Sequence, residues 1–128
     1  MIRDQETLNL LLDTISRFVR ERLVPFESIV AETDHIPDEI VAGMKELGLF
    51  GLSLPEEHGG MGLTMEEEVL ATFEIGHASP CFRSLFATNN GIGGQGIVID
   101  GTPEQKAYYL PRLATGEIIG SFALTEPD

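Results

Sequence analysis

The stretch of residues 46–63, ELGLFGLSLPEEHGGMGL, constrains the fold more than any other part of this chain. It begins as the end of an amphipathic pattern, continues as the apolar run of residues 49–54, and is then interrupted at Pro55 and at the pair Gly59 and Gly60. Proline cannot donate a backbone hydrogen bond, and glycine tolerates positive φ angles. A solvated loop would not expose so many large apolar side chains to water. We therefore predict a connection that is buried against or between helices.

Composition and charge narrow the classes of protein to which the chain can belong. Its 128 residues are 42% hydrophobic, enough for one domain with its own core. The 21 acidic residues outnumber the 8 basic ones, and the net charge of −13 argues against binding to nucleic acid or to an anionic membrane surface. A single cysteine, Cys81, excludes an internal disulfide, and no apolar run approaches membrane-spanning length. We therefore expect a soluble, cytoplasmic protein.

Helical periodicity dominates the first half of the chain. Residues 5–23 carry an apolar stripe at helical spacing, Pro25 interrupts it, and residues 26–33 are predicted to continue as a shorter helix at an angle. Pro37 is typical of the first turn of a further helix, and Gly48 is a natural residue for its end. The predicted buried stripe of the first helix consists of Leu8, Leu11, Leu12, Ile15, Phe18, Val19 and Leu23.

A capping box predicts the start of the next helix. Thr64 is followed three residues later by Glu67, the spacing at which each side chain bonds the backbone N–H of the other. The glutamates at 66–68 are explained by this cap and by the positive end of the helix dipole, so we expect them mostly in solvent and not in acid–base catalysis. The side chains predicted to face the core are Val69, Leu70 and Phe73.

A glycine-rich, apolar segment follows at residues 82–100. We interpret it as a buried helix whose glycines allow neighbouring helices to approach, broken near Asn89 and Asn90. Residues 91–96 match the dinucleotide pattern G-x-G-x-x-G, which needs a preceding strand and an acidic residue about 20 positions on. The preceding residues look helical, no βαβ unit can be drawn, and Glu117 falls near that offset by chance. The match therefore does not indicate nucleotide binding.

The last part of the chain combines one helix with an extended segment. Thr102 and Gln105 form a second capping box around Pro103, and Gly116 closes the helix. Residues 118–125 look extended, without a partner strand elsewhere in the chain. The predicted fold is all-α, a bundle of about five to six helices, with a short C-terminal extended segment that would begin a β domain.

Residue chemistry by itself names no catalytic or metal site. His77 and Cys81 are four residues apart, but a metal site needs three or four ligands and no second cluster supports them. The polar turn at residues 56–58 has no identifiable opposing group, so we favour a structural role. The extended backbone near Thr125 is of a type that can hydrogen-bond the edge of a planar heterocycle.

Three segments together resemble the N-terminal domain of acyl-CoA dehydrogenases. They are ELGLFGLSLPEEHGGMGL at 46–63, GTPEQKAYYLPRLATGE at 101–117 and ALTEP at 123–127, and their order and spacing also agree. The likeness covers essentially the whole chain. It implies that residues 1–117 form the N-terminal helical domain and that residues 118–128 begin the middle β domain.

The resemblance also implies a reaction and its partners. Full-length members bind flavin adenine dinucleotide (FAD), usually in a homotetramer. They dehydrogenate an acyl-CoA thioester between its α and β carbons, and the electrons then leave to an electron-transferring flavoprotein. The family's catalytic glutamate lies in a C-terminal domain beyond residue 128, so no catalytic residue can be named. We expect this chain alone to be inactive and not to hold flavin firmly.

The resemblance implies roles for two groups of residues, whereas residues 46–63 are expected to contact neither flavin nor thioester. The residues that match flavin contacts are Phe122, Leu124 and Thr125. The residues that correspond to the lining of the acyl pocket are Phe86, Thr88 and Asn89. Acyl-CoA oxidases and flavin monooxygenases share this architecture and stay open as alternatives. A free-standing helical interaction module is the alternative from another class.

Overall fold

Helices account for most of the chain in the computed structural model, which describes residues 4–127, and no strand is present within that range. The predicted all-α bundle is confirmed. The α-helices of the described residues are α1 Gln5–Phe18, α2 Glu27–Thr33, α3 Asp38–Glu46, α4 Met65–Ile75, α5 Pro80–Asn90, α6 Gly94–Asp100 and α7 Pro103–Ala114. Helix α1 packs against α4, α5 packs against both the connector and α6, and α6 packs against α7.

The first predicted helix begins and bends where its sequence indicates. Asp4 caps α1 by accepting the Thr7 N–H at 2.7 Å. After Phe18 the helix widens into a π turn, Val19–Leu23, and tightens into a 3₁₀ turn, Val24–Phe26, that contains Pro25. Its apolar stripe lies in the core or packs on its edge, as predicted.

The apolar run of residues 49–54 is buried between helices, which confirms the predicted connector. Gly48 has a φ of +70°, a value that glycine adopts without strain, and it turns the chain out of α3. The four large side chains of the run are completely shielded from water or nearly so. They are Leu49, Phe50, Leu52 and Leu54.

The chain then folds back on this run and supplies its backbone with hydrogen bonds. The Met61 N–H donates to the Gly51 carbonyl at 2.7 Å, and the Leu63 N–H donates to the Leu52 carbonyl at 2.9 Å. Gly60 lies so close to Leu54 that a side chain at position 60 would collide with the Leu54 carbonyl. The double glycine therefore permits close backbone contact as well as a turn.

The orientation of α4 differs from the prediction. The capping box is present, with the Thr64 N–H donating to the Glu67 carboxylate at 2.7 Å. Glu67 is buried and not in solvent, because it lies on the same face of the helix as Ala71 and Ile75, which pack into the core. The prediction that Val69, Leu70 and Phe73 face the core is wrong: all three are exposed. The helix has two apolar faces, and α1 packs on the one that carries the smaller alanine.

The glycine-rich segment is broken where predicted, and α5 and α6 are its two halves. The chain turns at residues 91–93, and Gly94 at the start of α6 is buried against Leu54 and the Asn89 carbonyl. A helix, not a strand, precedes the G-x-G-x-x-G match. Gly94 serves close packing, as the sequence interpretation held, whereas nothing lies near Gly96.

The segment after α7 does not form the strand that its sequence favours. Gly116 ends the helix with a φ of +72°, and residues 119–127 have no regular secondary structure. An extended segment becomes a strand when a neighbour pairs with it, and no strand exists among residues 4–127 to do so. No helix in the described part of the chain is long and apolar enough to cross a membrane.

Two glycines of α6 provide a matched test of this packing. We expect Gly94→Ala to destabilise the fold by about 1–3 kcal/mol, because the added methyl group would overlap Leu54 and the Asn89 carbonyl. Gly96→Ala should stabilise it by about 0.5–1 kcal/mol, because nothing lies near that position and alanine favours the helix. Urea unfolding of the two variants measures both changes. Equal effects would contradict the close approach of α6.

Candidate functional site

A groove of about 880 Å³ lies between the outer face of α4, the start of α5 and the turn into α6. One part of its wall comes from the connector, through Ser53 and Leu63. The apolar side chains that line it, apart from Leu63, are Met65, Val69, Phe73 and Ile99. The polar or charged side chains that line it, apart from Ser53, are Glu68, Thr72, His77, Arg83, Asn90 and Gln95.

Large apolar side chains face water around this groove. Met65 is 77% exposed, Phe73 67% and Ile99 71%. They come from two different helices and line the same groove. Contiguous exposed apolar surface in a soluble domain marks a place where a ligand or another protein surface binds.

At the polar end of the groove, Ser53 forms hydrogen bonds with both Asn90 and Gln95. Asn90 accepts the Ser53 N–H at 3.1 Å, and the Ser53 hydroxyl donates to the Asn90 carbonyl at 2.8 Å. The Gln95 amide donates to the Ser53 carbonyl at 3.3 Å. The amide nitrogen of Asn90 donates to the Leu49 carbonyl at 2.7 Å, so this end of the groove is fixed to the connector.

One carboxyl group in the groove has a shifted pKa. Partial burial raises the pKa of Glu68 above its ordinary value of 4.5, and the positive charge of Arg83 opposes that shift. His77 lines the groove, and its Nδ1 atom lies 3.0 Å from the Phe73 carbonyl oxygen. No group of three or more metal-binding side chains occurs among residues 4–127.

The three predicted acyl-pocket residues make their contacts within the helical body. Phe86 is buried and packs edge-on against Phe50, with ring centroids 6.0 Å apart. Thr88 is half-buried, and its carbonyl accepts the Gly93 N–H at 2.9 Å. Asn89 is completely buried and bonds three backbone groups near the C-terminal segment. None of the three lines the groove, so their contact with an acyl group stays a prediction.

The groove residues of α4 were not among the predicted site residues. The signal was available: Met65, Val69 and Phe73 recur every four residues and give the helix a second apolar stripe. Periodicity indicates that a stripe exists, but it does not say which of two stripes the rest of the domain covers.

The three predicted flavin contacts lie together at the C-terminal end of the described chain. Phe122 is 55% exposed, Leu124 is 73% exposed, and Thr125 is also exposed. The backbone of residues 121–127 makes no hydrogen bond to the helical body, so its donors and acceptors are free to bond a ligand. Free backbone groups beside a hydroxyl and two apolar side chains fit the polar edge and flat faces of a flavin ring.

Residues 5–117 match the family model described as "Acyl-CoA dehydrogenase, N-terminal domain". The chain belongs to this family. The match includes the connector and all seven helices described above. The resemblance carried by the three sequence segments is therefore confirmed.

Curated relatives agree with this assignment. An acyl-CoA dehydrogenase of Bacillus subtilis is 36% identical over 110 residues, which are 86% of this chain and 29% of the relative. The (2S)-methylsuccinyl-CoA dehydrogenase of Cereibacter sphaeroides is 39% identical over 124 residues, 96% of this chain and 22% of that protein.

Solved structures share the fold. The acyl-CoA dehydrogenase of Bacillus anthracis, solved in complex with FAD, superposes with a TM-score of 0.84 at 32% identity. The superposition covers 97% of this chain and 22% of that one. The chain thus spans less than a third of the length of each of these relatives.

Glu68 gives the groove a pH-dependent effect on stability. A carboxyl group with a raised pKa binds more protons in the folded state, so its contribution to the free energy of unfolding falls as pH rises from 4.5 through the folded-state pKa. We therefore expect Glu68→Gln to gain stability relative to the unmodified chain between about pH 4 and 7. Glu66→Gln is the control, because Glu66 is exposed on the same helical turn and does not line the groove. Thermal unfolding of both variants at about pH 4 and about pH 7 tests this, and an identical change of Tm with pH in the two variants would refute it.

Proposed function

We propose that this chain is the N-terminal part of a flavin-dependent acyl-CoA dehydrogenase. The reaction is the α,β-dehydrogenation of an acyl-CoA thioester. The family match over residues 5–117 carries the proposal. The relatives' names, which include dehydrogenases of acyl-CoA and of (2S)-methylsuccinyl-CoA, supply the substrate class.

FAD is the proposed cofactor of the longer protein, held in part by Phe122, Leu124 and Thr125. The Thr125 hydroxyl and the free backbone of the segment supply hydrogen bonds, and the two apolar side chains shield the ring from water. Bound flavin supplies an acceptor for the β-hydrogen, which leaves the substrate as hydride. The base that removes the α-proton belongs to the part of the protein beyond residue 128.

The groove on α4 and α6 is the proposed site of the acyl chain. Its exposed apolar wall suits a hydrocarbon, and the hydrogen-bonded residues Ser53, Asn90 and Gln95 close one end with polar groups. We also propose that Phe86, Thr88 and Asn89 shape the acyl site from behind. They lie on α5, whose last residue, Asn90, does line the groove.

Partners and compartment follow from the same proposal. The electron acceptor is an electron-transferring flavoprotein, the longer protein assembles as a homotetramer, and the compartment is the cytoplasm. The net charge of −13 repels nucleic acid and anionic membranes, so neither is a proposed partner. Oxidase, monooxygenase and free-standing helical interaction module are the competing functions.

The reading frame that contains this sequence provides the decisive test. We expect it to continue into a β domain, and its purified product to be yellow with bound FAD. Anaerobic addition of an acyl-CoA should bleach the flavin absorption, whereas the 128-residue chain alone should neither bind FAD firmly nor react. Reoxidation by air with formation of hydrogen peroxide would favour an oxidase instead. A stop codon after Asp128 would favour the interaction module.

Two neighbouring residues of α4 test the acyl site. Val69 lines the groove, and Leu70 is similarly exposed but does not. In the longer protein, Val69→Phe should lower kcat/KM for long acyl chains about tenfold more than for short ones, because the ring fills space that the far end of the chain needs. Leu70→Phe should leave the ratio of kcat/KM for long chains to kcat/KM for short chains unchanged. Equal ratios in both variants would place the acyl chain elsewhere.

A further inference from the structure

The buried side chain of Asn89 forms three hydrogen bonds with backbone groups near the end of α7. Its amide donates both of its protons, and its oxygen accepts one. Its amide nitrogen donates to the carbonyls of Leu113 and Ile118, both at 2.9 Å. Its oxygen accepts the Gly120 N–H at 2.7 Å. These three partners fix the orientation of the amide, because a flipped group would place its NH₂ against the Gly120 N–H. An aspartate could not donate either of the two outgoing bonds.

These bonds hold the beginning of the C-terminal segment, Ile118 and Gly120, against the helical body. Gly120 rests beside the side chain of Thr88 and the backbone of Gly93, both within 4 Å of where its Cβ would lie. In the part of the chain that the structure describes, Gly120 is the last residue hydrogen-bonded to the body. Phe122 follows two residues later. The direction in which the segment leaves the helices is therefore set at Asn89.

We propose that Asn89 is a positioning residue for the flavin-binding segment, acting through its clamp on Ile118 and Gly120. This rests on the proposed function for the role of the segment, and it gives Asn89 a task other than contact with the acyl chain. Only Ser121 separates Gly120 from Phe122, so a change in the direction of the backbone at Gly120 shifts the predicted flavin contacts directly. Asn89 thereby reduces the conformational entropy that the C-terminal segment would otherwise lose when flavin binds.

The neighbouring Asn90 provides an internal comparison. It is buried at the same end of α5, but it bonds Leu49 and Ser53 of the connector instead of the C-terminal segment. The two amides thus hold two different pieces of chain from adjacent positions. Loss of either side chain removes hydrogen bonds of the same kind, so a general loss of stability can be separated from a local release of the segment.

Hydrogen exchange in the 128-residue chain tests the clamp without flavin. We expect Asn89→Ala to accelerate exchange of the Gly120 amide about tenfold, with little change at Ser53. Asn90→Ala should do the reverse. Equal acceleration at both amides in both variants would overturn the clamp. If Asn89→Ala does not fold, Asn89→Leu serves in its place, since it keeps a side chain of similar size but removes both donors and the acceptor for Gly120.

Flavin binding in the longer protein tests the consequence. Gly120→Pro removes the N–H that Asn89 accepts, whereas Gly120→Ala keeps it and places its methyl group at an ordinary contact distance, 3.4 Å from the Asn89 oxygen. We expect the proline variant to bind FAD about tenfold more weakly than the alanine variant and to alter the visible circular dichroism of the flavin. Equal affinity and equal spectra would overturn the positioning role. Absence of FAD from the unmodified longer protein would instead refute the proposed function. Hydrogen exchange at the Gly120 amide would still test whether Asn89 holds the segment.

Discussion

The buried connector is the element on which the rest of this fold depends. An apolar loop inside a protein gains from shielding its side chains, but its backbone donors and acceptors must then find partners away from water. Here the backbone of residues 61–63, which folds back on the connector, bonds Gly51 and Leu52, and Asn90 bonds Leu49 and Ser53. Helices α3, α5 and α7 pack around this loop, and α5 supplies part of its hydrogen bonding through Asn90.

The two adjacent asparagines extend this arrangement to the candidate site. Asn90 ties the polar end of the groove to the connector, and Asn89 ties the beginning of the C-terminal segment to the end of α7. Both lie where α5 ends and the glycine-rich turn begins. One helix terminus thus fixes the two surfaces on which the proposed function relies, one for an acyl chain and one for a flavin.

Polarity and burial on α4 show how a surface can be prepared for binding. A glutamate of the capping box is buried, while methionine, valine and phenylalanine side chains on the opposite face meet water. The inner face accepts the glutamate because its carboxylate bonds the backbone at the start of the helix. The outer face leaves its apolar groups exposed, and the proposed function assigns them to the acyl chain.

The amino-acid sequence by itself determined the all-α class, the capping boxes, the helix-ending glycines, the buried connector and the family, since these depend on local chemistry and residue spacing. Tertiary structure decided which stripe of α4 is covered, because that depends on the partner helix and not on the period of the pattern. It also decided that Phe86 packs and Asn89 hydrogen-bonds within the helical body, and that Asn90 and Gln95 line the groove. Hydrogen bonds between residues more than twenty positions apart place these groups, and no local pattern encodes them.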